Sequence, residues 1–219
     1  MMLPLGLSYR RALLDAELGR LAGGLAGVVL EIGAKRVARG RWEPPVGRVR
    51  RWIRLNLELV ECPDVVADAQ LLPLDDASVD WVVCIEVLQY VLAPEAAMRE
   101  IARVLVPGGG AVIAVPFLHR ADGPTDRHRF TEVSLLELVE RSGLRVLSLN
   151  AQARFFGTLA NHLRQAVANI RSRPVRWLTA APALPLSALL IALDGLGPVR
   201  RSAFLASYAT GFVALARKG

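Results

Sequence analysis

Between residues 27 and 149, short apolar runs alternate with amphipathic stretches of helical period, and this alternation constrains the fold more than any other feature. Runs at 27–32, 51–57, 64–67, 80–85, 111–115 and 144–149 have the length of strands. The second alternates, with Trp52, Arg54 and Asn56 on one face and Ile53, Leu55 and Leu57 on the other. Pro94 suits the first turn of a helix whose inner face carries Ala97, Ile101, Val104 and Leu105. Pro107-Gly-Gly-Gly110 is expected to stop that helix and turn the chain into the next strand. Thr131 is a good N-cap for a helix over 132–142, which Gly143 ends. Strands and helices alternating at this spacing predict an α/β fold: a doubly wound, mostly parallel sheet with helices on both faces. Such sheets bind ligands at the carboxyl ends of their strands, and residues 28–35 form the first such end.

A helix is expected over 7–23, with Leu7, Arg10, Leu14, Leu18 and Leu21 in one stripe. At 219 residues and 53% apolar, the chain can bury one substantial core. Its division is read as an N-terminal helix in 1–25, a core over 26–149, a helical insert or lid over 150–206, and a final strand in 207–219. The formal charge of +7 comes without a nucleic-acid-binding motif, so no nucleic acid partner is expected. Cys62 and Cys84 fit neither a zinc knuckle nor a redox pair. With only three histidines besides, no metal site is expected. Arg10, Arg11, Asp15 and Glu17 interrupt the apolar stretch an export signal would need, so a cytoplasmic protein is expected.

Residues 68–116 are the most specific part of the chain. Asp68-Ala-Gln-Leu-Leu-Pro-Leu-Asp-Asp-Ala-Ser-Val-Asp80 precedes the strand at 80–85; Glu100-Ile-Ala-Arg-Val-Leu-Val-Pro-Gly-Gly109 and the strand ending at Pro116 follow. This order resembles the class I S-adenosylmethionine-dependent methyltransferases, methyltransferase type 11-like. Pro124, Asp126, Arg129 and Thr131 extend the likeness. The resemblance implies a Rossmann-like seven-stranded sheet whose last strand, 208–217 here, inserts antiparallel. It implies S-adenosylmethionine as cofactor, with Glu31 at the ammonium end and Gly33 and Ala34 at the turn. Asp68 and Ala69 would meet the adenine, and Cys84 and Ile85 would line the floor. His119 and then His128 are the candidate catalytic bases, on the rim after the fifth strand. Asp126 and Arg129 are expected to pair and shape that loop.

Three departures from the family pattern stand out. After Gly33 the chain has Ala34, Lys35 and Arg36 where further glycines are usual, so both cations must point away from a cationic cofactor. Asn56 occupies the ribose-binding carboxylate position, with Glu58 able to stand in. Gln89-Tyr90 replaces a common Glu-His. These departures keep an alternative open: a catalytically inactive protein of this fold, serving as a binding or membrane-associated module. A dinucleotide-dependent oxidoreductase fits poorly, since no G-x-G-x-x-G loop is present.

The insert is expected to decide the acceptor, a small molecule of apolar or lipid-linked kind. A helix over 154–170 would carry Phe156, Leu159, Leu163, Val167 and Ile170 on one face, with Arg164 and Arg171 elsewhere. An uncharged run over 177–193, broken by Pro182 and Pro185, reads either as part of a buried lid or as a patch in peripheral contact with a membrane. It is slightly short for a transmembrane span.

Overall fold

Seven strands form one sheet in the computed structural model, which describes residues 8–37, 40–45 and 47–219. In chain order they are β1 (Gly27–Ile32), β2 (Val49–Asn56), β3 (Val65–Val66), β4 (Val79–Ile85), β5 (Leu105–Pro116), β6 (Leu144–Gln152) and β7 (Gly211–Lys218). Their order across the sheet is β3-β2-β1-β4-β5-β7-β6. The β1–β2, β1–β4, β2–β3 and β4–β5 pairs are parallel, and β7 runs antiparallel to both β5 and β6. The strand order reverses between β1 and β4, so the connections leaving these two paired strands turn to opposite sides and open a crevice.

Two apolar layers sandwich the sheet. Leu30, Ile32, Ile53, Leu55, Val82 and Cys84 face α2 (Pro94–Val104) and α3 (Glu132–Arg141). Val29, Trp81, Val83 and Val112 face α1 (Tyr9–Ala22), which presents Leu14 and Leu18. Each large side chain buried this way contributes roughly 1.5–3 kcal/mol. Leu7, placed by the sequence in the α1 stripe, lies outside the described residues. Ser8 caps α1 by accepting the Arg11 N–H, and Thr131 caps α3 by accepting the Ser134 N–H, as their residue types predict.

The family-like segment is held by its own polar residues. Glu100 and Arg103 of α2 bond each other, and together they clamp the preceding loop. Glu100 accepts the Leu72 N–H at 2.8 Å, while Arg103 donates to the carbonyls of Leu72 and Leu74. The pairing lowers the Glu100 carboxyl and raises the Arg103 guanidinium from their usual pKa values. Beyond α2, the Pro-Gly-Gly-Gly segment already belongs to β5, and α2 ends before it at Val104. Gly110 has no Cβ because the Trp81 ring occupies that space, with Arg217 stacked 4.8 Å over the same ring.

The insert departs from its sequence reading in three ways. Helix α4 (Phe155–Ala168) buries Gly157, Ala160, Asn161 and Arg164, while Leu159 is exposed. Its inner face is small and polar where it packs on α1, with the Arg10 N–H donating to Asn161 Oδ1, while Val167 is buried as expected, with Leu163 against the same apolar cluster. Arg164, expected away from the buried stripe, shares the buried face with Val167, 3.4 Å from Ser187 Oγ of α5. Helix α5 (Arg173–Asp194) runs unbroken through Pro182 and Pro185. The prolines are tolerated because they lie on its exposed side, where water can solvate the carbonyls they cannot serve. Two short helices, α6 (Gly197–Arg201) and α7 (Ala203–Ala206), lead into β7.

Candidate functional site

A cavity of about 830 Å³ opens at the carboxyl ends of β1, β2 and β4, where the strand order predicts a ligand. Gly33 turns the chain out of β1 at φ +79°, and a Cβ there would collide with Val87. Its N–H and that of Ala34 both donate to Leu55 O. The turn is thus tied to β2 and keeps its one glycine where both conformation and space require it.

Lys35 and Arg36 do not turn away, as the sequence reading requires; both stay on the cavity wall. Glu61, on the short 3₁₀ turn after β2, answers the Lys35 charge, while Arg36 is exposed to solvent. It takes the Lys35 ammonium at 2.8 Å and the Arg36 backbone N–H at 2.9 Å. Asp15 of α1 pins the same loop further on, accepting the Arg41 N–H. A loop that lacks its usual glycines is thereby fixed by two carboxylates.

Glu31 lines the cavity and accepts the Trp52 indole N–H at 2.8 Å. Trp42 packs 6.0 Å from Trp52, and its own buried indole nitrogen has no partner among the described residues. Asn56 lies at the end of β2, but its amide is a clamp: it donates to Ala34 O at 2.7 Å and accepts the Glu58 N–H at 3.0 Å. This buried bridge joins the two loops that frame the crevice, so Asn56 offers less to a ligand than the sequence suggested. Glu58 beside it is exposed on the cavity wall. Asp68 accepts the Gln70 N–H and two contacts from the Gln70 amide. Of about four lone-pair sites on a carboxylate, one remains for a ligand. Ala69 and Ile85 line the wall too.

Cys84 does not reach the floor. It points into the α2–α3 layer, fully buried, and burial pushes its thiol up to about 12. The strand alternation explains this, since only Ile85 continues into the opening. Ala34 is also fully buried and contributes its carbonyl to Asn56.

A second cavity, of about 210 Å³, adjoins the first and shares Arg11, Glu86, Tyr90 and Asp122 with it. Glu86 follows β4 at φ +60°, an uncommon conformation for a side chain of this kind. It forms a buried ion pair with Arg10 of α1. His119 lies in this cavity; burial first, then Arg10, holds it at a pKa of about 4, so it is neutral near pH 7. Gln89 also lines it, with a buried Oε1 that has no partner among the described residues. Tyr90 donates to Asp122 at 3.0 Å. His128 lines neither cavity: its Nε2 donates to Val91 O and its ring rests on Phe130. Asp126 and Arg129 pair as expected; Asp126 also accepts the Asp122 N–H, and Arg129 also donates to Arg120 O. No residue of 150–206 lines either cavity, so the insert is not their lid. That wall is α1, through Arg11, Asp15 and Leu18.

The Glu86–Arg10 pair was legible only in part. Arg10 sits in an apolar helical stripe, and an arginine there needs a buried partner. Glu86 directly follows the apolar run of β4, at the sheet end where ligands bind. The loop tryptophan Trp42 carries no such signal.

Comparison with known proteins agrees with this architecture. The fold is that of the class I methyltransferases. It matches the [4+2]-cyclase SpnF at TM-score 0.59 and 18% identity, over 93% of this chain and 80% of that one. An S-adenosylmethionine-dependent methyltransferase from Mesorhizobium loti matches at TM-score 0.56 and 17% identity, over 93% and 98%. Phosphoethanolamine N-methyltransferase 2 of Haemonchus contortus, in complex with phosphomonomethylethanolamine and S-adenosylhomocysteine, matches at TM-score 0.57 and 13%, over 94% and 52%. No curated protein sequence matches the chain. Residues 18–113 match the family described as Methyltransferase domain. The likeness therefore lies in the fold of the chain and in this one matched segment.

Proposed function

We propose that the protein is an S-adenosylmethionine-dependent methyltransferase whose large cavity holds the cofactor and whose small cavity holds a small-molecule acceptor. The observation that carries this reading is the pair of joined cavities at the strand-order reversal, with Glu86 and Tyr90 on the wall common to both. The residues fit the cofactor. Glu31 offers a carboxylate to its ammonium, and the unpartnered Trp42 indole N–H offers a donor to its carboxylate. Glu58 offers acceptors to the ribose hydroxyls, and Asp68 keeps one site for the adenine amine. Neutralised by Glu61, Lys35 does not repel a cation at close range.

When bound, the cofactor would supply an electrophilic methyl on a sulfonium to the acceptor's lone pair, with a neutral thioether as the leaving group. The protein's task is chiefly to hold that lone pair close and in line. Gln89 Oε1 is a buried acceptor waiting for a donor, which suits an N–H or O–H on the acceptor molecule. His119, neutral at pH 7, can take a hydrogen bond or a proton there; a pKa of about 4 makes it a weak base. The site therefore suits a nucleophile that arrives already unprotonated better than one needing a strong base.

Binding of S-adenosylhomocysteine to the Glu58→Ala and Asp68→Ala variants tests the placement. Each loses about tenfold in affinity, the scale of one charge-assisted hydrogen bond. Unchanged affinity in both would contradict it.

A further inference from the structure

The outer face of α5 has no counterpart among the described residues. Val175, Leu178, Leu186 and Leu189 are between 47% and 76% exposed, and Pro182 and Pro185 lie among them. These positions share one side of the helix, which carries no charge from Trp177 to Leu193. Trp177 and Phe204 stand beside it, 68% and 66% exposed. So long an exposed apolar strip calls for an occupant.

Charge says which. The insert over 150–206 holds seven arginines and a single acid, Asp194, so nearly all of the chain's excess of +7 resides there. Asp194 is buried and accepts the Arg154 N–H. Arg171, Arg173 and Arg176 crowd the start of α5, where the helix dipole disfavours cations and no side chain caps the end. Arg200 and Arg201 stand beyond its other end, exposed on α6. An apolar face between two groups of arginines, with tryptophan at its margin, matches a layer of acyl chains beneath anionic headgroups.

Helix α5 is long and apolar enough by length and composition to cross a membrane. Its surroundings tie it to the rest of the molecule instead. Ala180, Ala183, Ser187 and Leu190 pack its inner face, Asp194 ties its end back to the start of α4, and β7 returns to the sheet between β5 and β6. Pro182 and Pro185 also leave the carbonyls of Leu178 and Ala181 without helical donors, which suits the wet headgroup layer and not the hydrocarbon interior.

We propose that α5 docks the protein on an anionic lipid bilayer, lying in the plane of the headgroups with its apolar face inward. This does not rest on the cofactor reading. Vesicle co-sedimentation tests it, with phosphatidylcholine alone and with phosphatidylcholine mixed with phosphatidylglycerol. The protein partitions onto the anionic vesicles at least about tenfold more strongly than onto the neutral ones, and binding falls as salt rises. Leu178→Glu/Leu189→Glu abolishes binding, and Arg200→Glu/Arg201→Glu weakens it about tenfold. All four positions are exposed, so circular dichroism and thermal unfolding stay close to those of the unaltered protein. No sedimentation with anionic vesicles at low salt would overturn the proposal. So would a dimer in light scattering that Leu178→Glu separates while vesicles bind neither form, since α5 would then be covered by a second copy.

Discussion

Gly33 bears more than its sequence context shows, because it is the one glycine left in a turn that usually has several. At φ +79° and against Val87, an alanine there is both strained and crowded. Gly33→Ala is expected to cost about 1–3 kcal/mol in thermal or denaturant unfolding and to weaken cofactor binding with it. Asn56→Ala removes the bridge between Ala34 O and the Glu58 N–H and leaves the buried Ala34 carbonyl unsatisfied. A loss of about 1–3 kcal/mol is expected, with Asn56→Asp failing to rescue because a carboxylate cannot donate to Ala34 O. Glu86→Gln leaves Arg10 charged in a buried place, at a cost of roughly 3–5 kcal/mol. Arg10→Met/Glu86→Gln together should recover much of that stability, read from the same unfolding curves.

Elements were legible where one periodicity dominated. The runs at 27–32 and 80–85, the helix beginning at Pro94 and the capped helix after Thr131 all appear within a few residues of their expected places. The antiparallel final strand followed from resemblance and is seen as β7. Sequence reasoning failed where tertiary contacts overrode the local pattern. The stripe of Phe156 and Leu159 looked like the inner face of α4, yet close packing on α1 selects Gly157, Ala160 and Asn161 instead. Asn56 was read from its position in a motif, but its two-sided amide is used by the backbone. Cys84 and Ile85 are neighbours in sequence on opposite faces of one strand, so both could not line a floor. Pro182 and Pro185 do not break α5, because an exposed proline only forfeits a hydrogen bond and adds a local clash. Pro182→Ala should therefore restore a bond to Leu178 O and raise the unfolding free energy by about 1–3 kcal/mol.

At the scale of the whole molecule, the sheet presents its binding end beneath α1, and the insert packs behind α1 with its apolar face outward. One consequence is a pH dependence. His119 is held near 4 in the folded chain against 6.5 as its ordinary value, so the unfolded chain binds more protons between those limits. Stability contributed by neutral His119 is present above about pH 6.5 and lost as pH falls towards 4. His119→Gln should flatten that part of the curve of unfolding free energy against pH. A turn with one glycine, braced by Glu61 and Asp15, is expected still to close around the cofactor. Calorimetric titration of the folded protein with S-adenosylmethionine, and with S-adenosylhomocysteine in parallel, tests it most directly. Micromolar binding of both at one site is expected, lost or much weakened in Glu61→Ala. No binding up to millimolar concentration would contradict it, and would make the chain a retained methyltransferase fold put to another use.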